Sequence, residues 1–177
     1  MRIALPRRDL LRRDPETRAL RALAQGLKRL PPKHRPDEAL QVVADLARRL
    51  TSARYAALAV SDNDDRTIGF VTSGLSEEEL RGLKTPPQGH GPLGSLRADG
   101  RPVYIDDLEQ HERSFGFPGR HPQMRTLLGV PVWANNRVRG SLYVTDHTRG
   151  HRFGDKEERV LVTLARHATK VIERDWY

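Results

Sequence analysis

Cysteine is absent from the 177-residue chain, which excludes disulfides, thiolate metal sites, thiol catalysis and any cofactor tethered through sulfur. No apolar run approaches about eighteen residues, so no transmembrane helix and no membrane partner are expected. The basic N-terminus is not followed by a continuous apolar stretch, so no secretory signal is read. There is no P-loop, no dinucleotide glycine pattern and no G-x-S-x-G elbow. Asp62, Asp64 and Asp65 read as a turn, and Asp106-Asp107 as a strand end. Repeats and low-complexity tracts are also missing. These absences lead to the expectation of a soluble, cytoplasmic protein that is not an enzyme.

The formal net charge is +8, and it is not spread evenly. Residues 1–36 hold 11 Lys and Arg against 3 Asp and Glu, while the remainder carries 20 of each sign. Anionic partners would therefore be drawn to the N-terminal arm and not to the body. Nucleic acid still ranks last as a partner, because the arm has no aromatic residue to stack on bases and no helix-turn-helix pattern. The expected organisation is a basic arm with an amphipathic helix over residues 1–35, followed by one domain over residues 36–177.

Asp14-Pro15-Glu16 opens a helix with a capping Asp, a first-turn Pro and an early acid. Leu20, Leu23, Leu27 and Leu30 recur at spacings of three and four. That narrow stripe suits pairing with another chain or docking on its own domain. A second helix is read from about Pro36 to Leu50, with Leu40, Val43, Leu46 and Leu50 on one face. Two strands follow around a polar turn, RYAALAV (54–60) and RTIGFVTSG (66–74), and then a short helix capped by Ser76. A Gly- and Pro-rich crossover holds a helical turn at Leu93–Arg97. PVYIDD is a third strand, RTLLGVPVWA a fourth and RVRGSLYVTDH a fifth, the last two joined by a tight Asn-Asn turn. Pro131 inside the fourth strand implies an edge or a bulge. Asp155, with Glu158, is read as the cap of a final helix whose apolar face is Val160, Leu161, Leu164, Ala168, Val171 and Ile172.

This order suggests an α+β fold with a central, mostly antiparallel sheet of five to six strands. Alternation assigns each strand two faces. On the fifth strand Val138, Leu142 and Val144 oppose Arg139, Ser141, Tyr143 and Thr145. On the first, Leu58 and Val60 oppose Tyr55, Ala57 and Ala59. On the second, Ile68 and Phe70 oppose Thr67, Gly69 and Val71. Packing the bulky faces on the helices leaves the small faces together, beside Tyr143. They form either a water-facing side or the floor of a cavity that a ligand or a covering loop fills. The segment SFGFPGRHPQMRTLLGVPV (114–132) supplies a candidate cover, a loop with two Phe, two Gly, two Pro and His121.

GVPV, GSLYVTD and FGDKEE, with the strand and helix order, resemble GAF domains, small-molecule-binding sensory modules with a ligand pocket under a long loop. RYAALAV, GFPGRHPQMRTLLGVPV and GSLYVTDHTRGHRFGDKEE are similar, more narrowly, to the haem-binding GAF domain of mycobacterial oxygen- and redox-sensing histidine kinases of the dormancy-survival system. That resemblance implies haem b as cofactor, His121 as the proximal ligand to its iron and Tyr143 on the distal side, hydrogen-bonding a diatomic gas. Phe115, Phe117 and Met124 would then cover the porphyrin. Ala59 stands where those kinases have a carboxylate near the haem edge, so a more open edge is expected. For such a sensor the terminal helices are expected to pair in a homodimer, and the signal to pass to a downstream partner of unknown identity. The alternative is a haem-free GAF module binding a nucleotide or an anion. GAF-type methionine sulfoxide reductases and bilin photoreceptors use cysteines, and this chain has none. Of the other histidines, His111 is a rival ligand in the same loop and His90 a conceivable sixth one. His147 and His151 are expected to be solvated, and His167 to pack.

Overall fold

The chain enters its first helix as the local chemistry dictates. The Asp14 carboxylate accepts from the Thr17 backbone N–H at 2.8 Å, and Pro15 occupies the first helical position, where a missing N–H costs nothing. The computed structural model describes residues 14–82, 96, 99–108, 123–150 and 152–176. In chain order the elements are α1 (Pro15–Leu27), α2 (Pro36–Leu50), β1 (Ala53–Ser61), β2 (Thr67–Ser73), α3 (Glu77–Gly82), β3 (Val103–Ile105), β4 (Leu127–Ala134), β5 (Arg137–His147) and α4 (Asp155–Asp175). Leu93, His90, His111, Phe115, Phe117, His121 and His151, singled out from the sequence, lie outside the described residues.

The strands form one antiparallel sheet in the order β2-β1-β5-β4-β3. Asn135 and Asn136 take φ of 49° and 59°, the backbone of a type I′ turn that matches the twist of the two strands it joins. Pro131 has the edge environment expected of it. β3 pairs only with Leu127–Gly129 of β4, so Pro131 lies past the end of β3 and removes no ladder bond on that side.

One face of the sheet is the main core. Val71, Leu58, Leu142 and Val130 form one cross-sheet row, and Ala56, Val144 and Leu128 form the next. α2 and α4 pack on these rows, and α1 lies against both helices. Leu40, Val43, Leu161, Leu164 and Ile172 are fully buried there. The α1 stripe docks on its own domain, since Ala19 and Leu23 join this core and Leu27 and Leu30 pack at its margin. Leu20 falls off the stripe and is 56% exposed.

Two details differ from the sequence-based expectation. On β2 it is Val71 that meets the helices, while Phe70 turns to the opposite face. The reason is register: Phe70 pairs with Ala59 and Val71 with Leu58, so each shares its partner's face. The last helix is capped by Gly154, not Asp155. Gly154 keeps an extended backbone and its N–H donates to the Glu157 carboxylate at 3.0 Å, which places Asp155 in the first turn.

Candidate functional site

The second face of the sheet carries a smaller apolar cluster. Its middle row reads Thr72, Ala57, Tyr143, Gly129 and Val103 from β2 to β3. One flanking row is Tyr55, Thr145, Leu127 and Ile105; the other is Phe70, Ala59, Ser141 and Pro131. The small faces of β1 and β5 thus coincide as expected, with Phe70 added from β2. Above them Tyr55, Ala57, Phe70, Thr72, Leu75, Met124, Tyr143 and Thr145, with Ala56, line a half-open cavity of about 20 Å³. None of these lining residues is charged.

Tyr143 is only 6% exposed. Burial alone raises its hydroxyl above the ordinary tyrosine range, and among the described residues that hydroxyl has no hydrogen-bond partner. Thr145, one flanking row away, is buried with its hydroxyl unpaired. Tyr55 is different: its hydroxyl donates to Glu79 at 3.0 Å, and the Arg54 guanidinium lies 5.0 Å from its ring centroid. The Tyr55 hydroxyl is raised by burial first and by the Glu79 hydrogen bond second. Glu79 also accepts from the Ser76 backbone N–H at 2.7 Å, while the Ser76 hydroxyl accepts from the Glu79 N–H. This capping box starts α3 and ties it to the cavity wall.

Met124 packs against the second cluster, and Leu96 sits inside it with no exposed surface. Leu96 reaches the sheet because position 129 is glycine, where a Cβ would come within 2.8 Å of the Leu96 Cδ1. Asp146 fixes the entry to β4. Its carboxylate accepts from the Arg125 and Thr126 backbone N–H groups at 2.7 and 3.1 Å, and its own N–H donates to the Thr126 carbonyl.

Of the residues singled out from sequence, Tyr143 and Met124 meet at the cavity. Ala59 lies on the same face, between Phe70 and Ser141, outside the lining. His147 is half-buried, edge-on to Phe153 at 5.7 Å between ring centroids. His167 on α4 is half-buried, and burial lowers its pKa, with Lys170 and Arg174 adding to the effect. Among the described residues no three His, Asp or Glu side chains gather as a metal site. No described helix is long and apolar enough to cross a membrane. The sequence reading did not assign roles to Tyr55, Thr145, Phe70 or Asp146. Alternation did put Tyr55 and Thr145 on the small face, whereas Phe70 and Asp146 needed the strand register.

Known proteins show the same architecture. The GAF domain of a phosphoenolpyruvate-protein phosphotransferase from Acinetobacter superposes with a TM-score of 0.68 at 21% identity, over 88% of this chain and 92% of that one. The corresponding GAF domain from Coxiella burnetii gives 0.67 at 21% identity, over 90% and 95%. A free methionine-R-sulfoxide reductase from Neisseria meningitidis, in complex with its substrate, gives 0.62 at 16%, over 92% and 90%. At these identities the likeness speaks to the fold. A family model described as GAF domain matches residues 33–173. Most of the sequence, the five-stranded antiparallel sheet, α2 and nearly all of α4 fall within that match, and the chain belongs to the GAF domain family.

Proposed function

We propose that this GAF domain is a sensor, not an enzyme, and that its ligand is haem b, held through His121 over the face that carries Tyr143. The observation that supports this most is the Tyr143 hydroxyl, buried on the ligand face and without a partner among the described residues. A buried hydroxyl that makes no hydrogen bond is costly, so its retention argues for something that completes it. The chemistry of the floor fits a flat apolar group: Ala57 and Gly129 keep it low, and Phe70 and Met124 border it. The volume sets a condition. Sites for drug-sized ligands span about 300–1,000 Å³, far above the 20 Å³ found here, so uptake requires Met124 and Leu75 to withdraw from the floor.

When bound, haem supplies an iron that takes O2, NO or CO or changes oxidation state. The chain's own part is to hold that iron through His121 and to donate the Tyr143 hydroxyl to a polar atom brought within its reach. A homodimer, with α1 and α4 at its interface, and a downstream signalling partner complete the proposal.

The smallness of the cavity favours one alternative, a haem-free module that takes a small molecule. The described lining residues bear no charge, so among them a nucleotide phosphate or another anion would find no counter-charge. A neutral molecule is the class that fits.

The test is an absorption titration of the purified protein with hemin beside His121→Ala and Tyr143→Phe. The expected result is a sharp Soret band in the parent, lost or shifted in His121→Ala. Tyr143→Phe should keep the band and change gas affinity. A parent that takes up no hemin, or a His121→Ala protein with an unchanged spectrum, ends the haem reading and leaves the neutral ligand.

A further inference from the structure

The two sides of Gly74 are held very differently. Before it, β2 is tied to α2 twice: the Gln41 amide donates to the Thr72 carbonyl at 2.8 Å, and the Arg48 guanidinium donates to the Ser73 hydroxyl at 2.9 Å. At Gly74 itself φ is 95°, and a Cβ there would lie 2.3 Å from the Arg54 carbonyl oxygen, so the chain turns its corner against β1 on a position only glycine suits. Beyond the corner, α3 has no buried residue, and its Leu80 is 46% exposed. Among the described residues one hydrogen bond ties α3 to another element, from the Tyr55 hydroxyl to the Glu79 carboxylate at 3.0 Å. Its other side-chain bonds are local, to the Ser76 cap and from Arg81 to the Glu77 carbonyl.

That single bond bears on the cavity from both ends. Tyr55 lines it, and so does Leu75, which stands between Gly74 and the Ser76 cap. Leu75 therefore goes with α3, a six-residue helix too short to be stable by itself, and not with the anchored strand. We propose that Leu75 and α3 form a hinged wall of the cavity, pivoting at Gly74, and that the Tyr55–Glu79 hydrogen bond is the latch that keeps it shut. Parting that bond frees α3 and draws Leu75 out of the lining, so that the space of about 20 Å³ grows towards the size of a ligand. Segments with few buried contacts open at the least cost, and α3 is the one described helix with no buried residue. Tyr55 is then a positioning residue that governs admission through Glu79. The latch rests on the reading of this cavity as the ligand site and holds for any occupant.

The experiment is NMR on the full chain without ligand, in the parent, Tyr55→Phe and Glu79→Gln. Two readouts are followed: hydrogen exchange of the Glu79 and Leu80 amides, which donate to Ser76, and broadening of the Tyr143 ring and Met124 methyl signals by a neutral nitroxide. The Leu142 amide, in the main core, is the reference. Removing a hydrogen bond to a charged group should speed α3 exchange by about tenfold in Tyr55→Phe, with Leu142 unchanged and Tyr143 and Met124 broadened more than in the parent. Glu79→Gln keeps an acceptor without the charge and should fall between the two. Unchanged α3 exchange in Tyr55→Phe overturns the latch. Faster α3 exchange with no added broadening overturns the hinged wall, because α3 would then fray without opening the cavity. Equal acceleration at Leu142 overturns both, since Tyr55 would be supporting the whole domain. If Tyr55→Phe does not fold, the same readouts on Glu79→Gln decide. Hemin uptake is scored separately: a protein that passes these tests and takes up no hemin keeps the latch and loses the haem reading.

Discussion

Two glycines in one cross-sheet row should respond in opposite ways to a methyl group. Gly69 of β2 and Gly140 of β5 flank Val60 of β1. A Cβ at Gly140 would lie 2.3 Å from the Ala59 carbonyl oxygen, a backbone atom that no rotamer change can move. Carbon and oxygen approach only to about 3.3 Å even in attractive contacts, so β1 and β5 would have to part by about 1 Å. Forcing an extra methyl into packed structure costs about 1–3 kcal/mol, and one or two weakened ladder bonds add about 1 kcal/mol each. The total of about 2–4 kcal/mol is a large share of a stability of about 5–15 kcal/mol. For a chain of this size it corresponds to a Tm lower by about 5–15 °C. At Gly69 the same Cβ meets Val60 and the Trp176 ring at 3.4–3.6 Å, ordinary contact distances. Gly69→Ala should be neutral or slightly stabilising, because it reduces the freedom of the unfolded chain by about 0.4–1 kcal/mol. Thermal melts of the two single variants test this directly. Equal shifts, or an unperturbed Gly140→Ala protein, would refute the argument from backbone proximity.

Asp146→Ala should release the Arg125 and Thr126 amides, which donate to its carboxylate, and should strain a backbone with φ of 55° by about 1–2 kcal/mol. Their hydrogen exchange should speed up by about tenfold or more, with partial recovery in Asp146→Asn; unchanged exchange at both amides would contradict the role given to Asp146. Glu79 should titrate below its ordinary value of 4.5, chiefly through the Ser76 N–H and to a smaller extent through Tyr55. A depressed folded pKa gives stability that is present above the unfolded value and lost as pH falls through the folded one, and the exposure of Glu79 keeps that contribution small. Tyr55→Phe should raise the Glu79 pKa part of the way back, as followed by carboxyl NMR, and an identical titration would show that Tyr55 does not bond Glu79 in solution.

The architecture was legible because several local signals agreed. The Asp14-Pro15 start, the Asn-Asn turn, the Ser76 capping box and strict alternation on β1 and β5 are all consequences of short-range chemistry, and each is found where it was read. The β2 faces were misread because alternation says that Phe70 and Val71 point oppositely, not which of them meets the helices. That choice is made by pairing with β1, a long-range fact, and by the register shift between Val60 and Ser61. The Gly154 cap was missed for a simpler reason: a glycine has no side chain with which to announce itself, and Glu157 completes the cap from within the helix.

The site was legible in its floor and not in its polar connections. Ala57 and Tyr143 could be placed on one face by counting in twos, and the structure pairs them directly. The commitment of Tyr55 to Glu79 crosses 24 residues of sequence, from a strand to a helix with no buried residue of its own, and no periodicity reports such a bond. Yet that bond divides the polar groups of the cavity. With Tyr55 already satisfied, the other hydroxyl-bearing residues of the lining are Tyr143 and Thr145 on β5 and Thr72 on β2. β5 carries two of these three, and its other face is buried against the helical layer with Leu142 and Val144 fully enclosed. Any ligand that moves β5 to satisfy those hydroxyls must also move side chains packed among the helices, which couples the site to the rest of the domain without a separate relay.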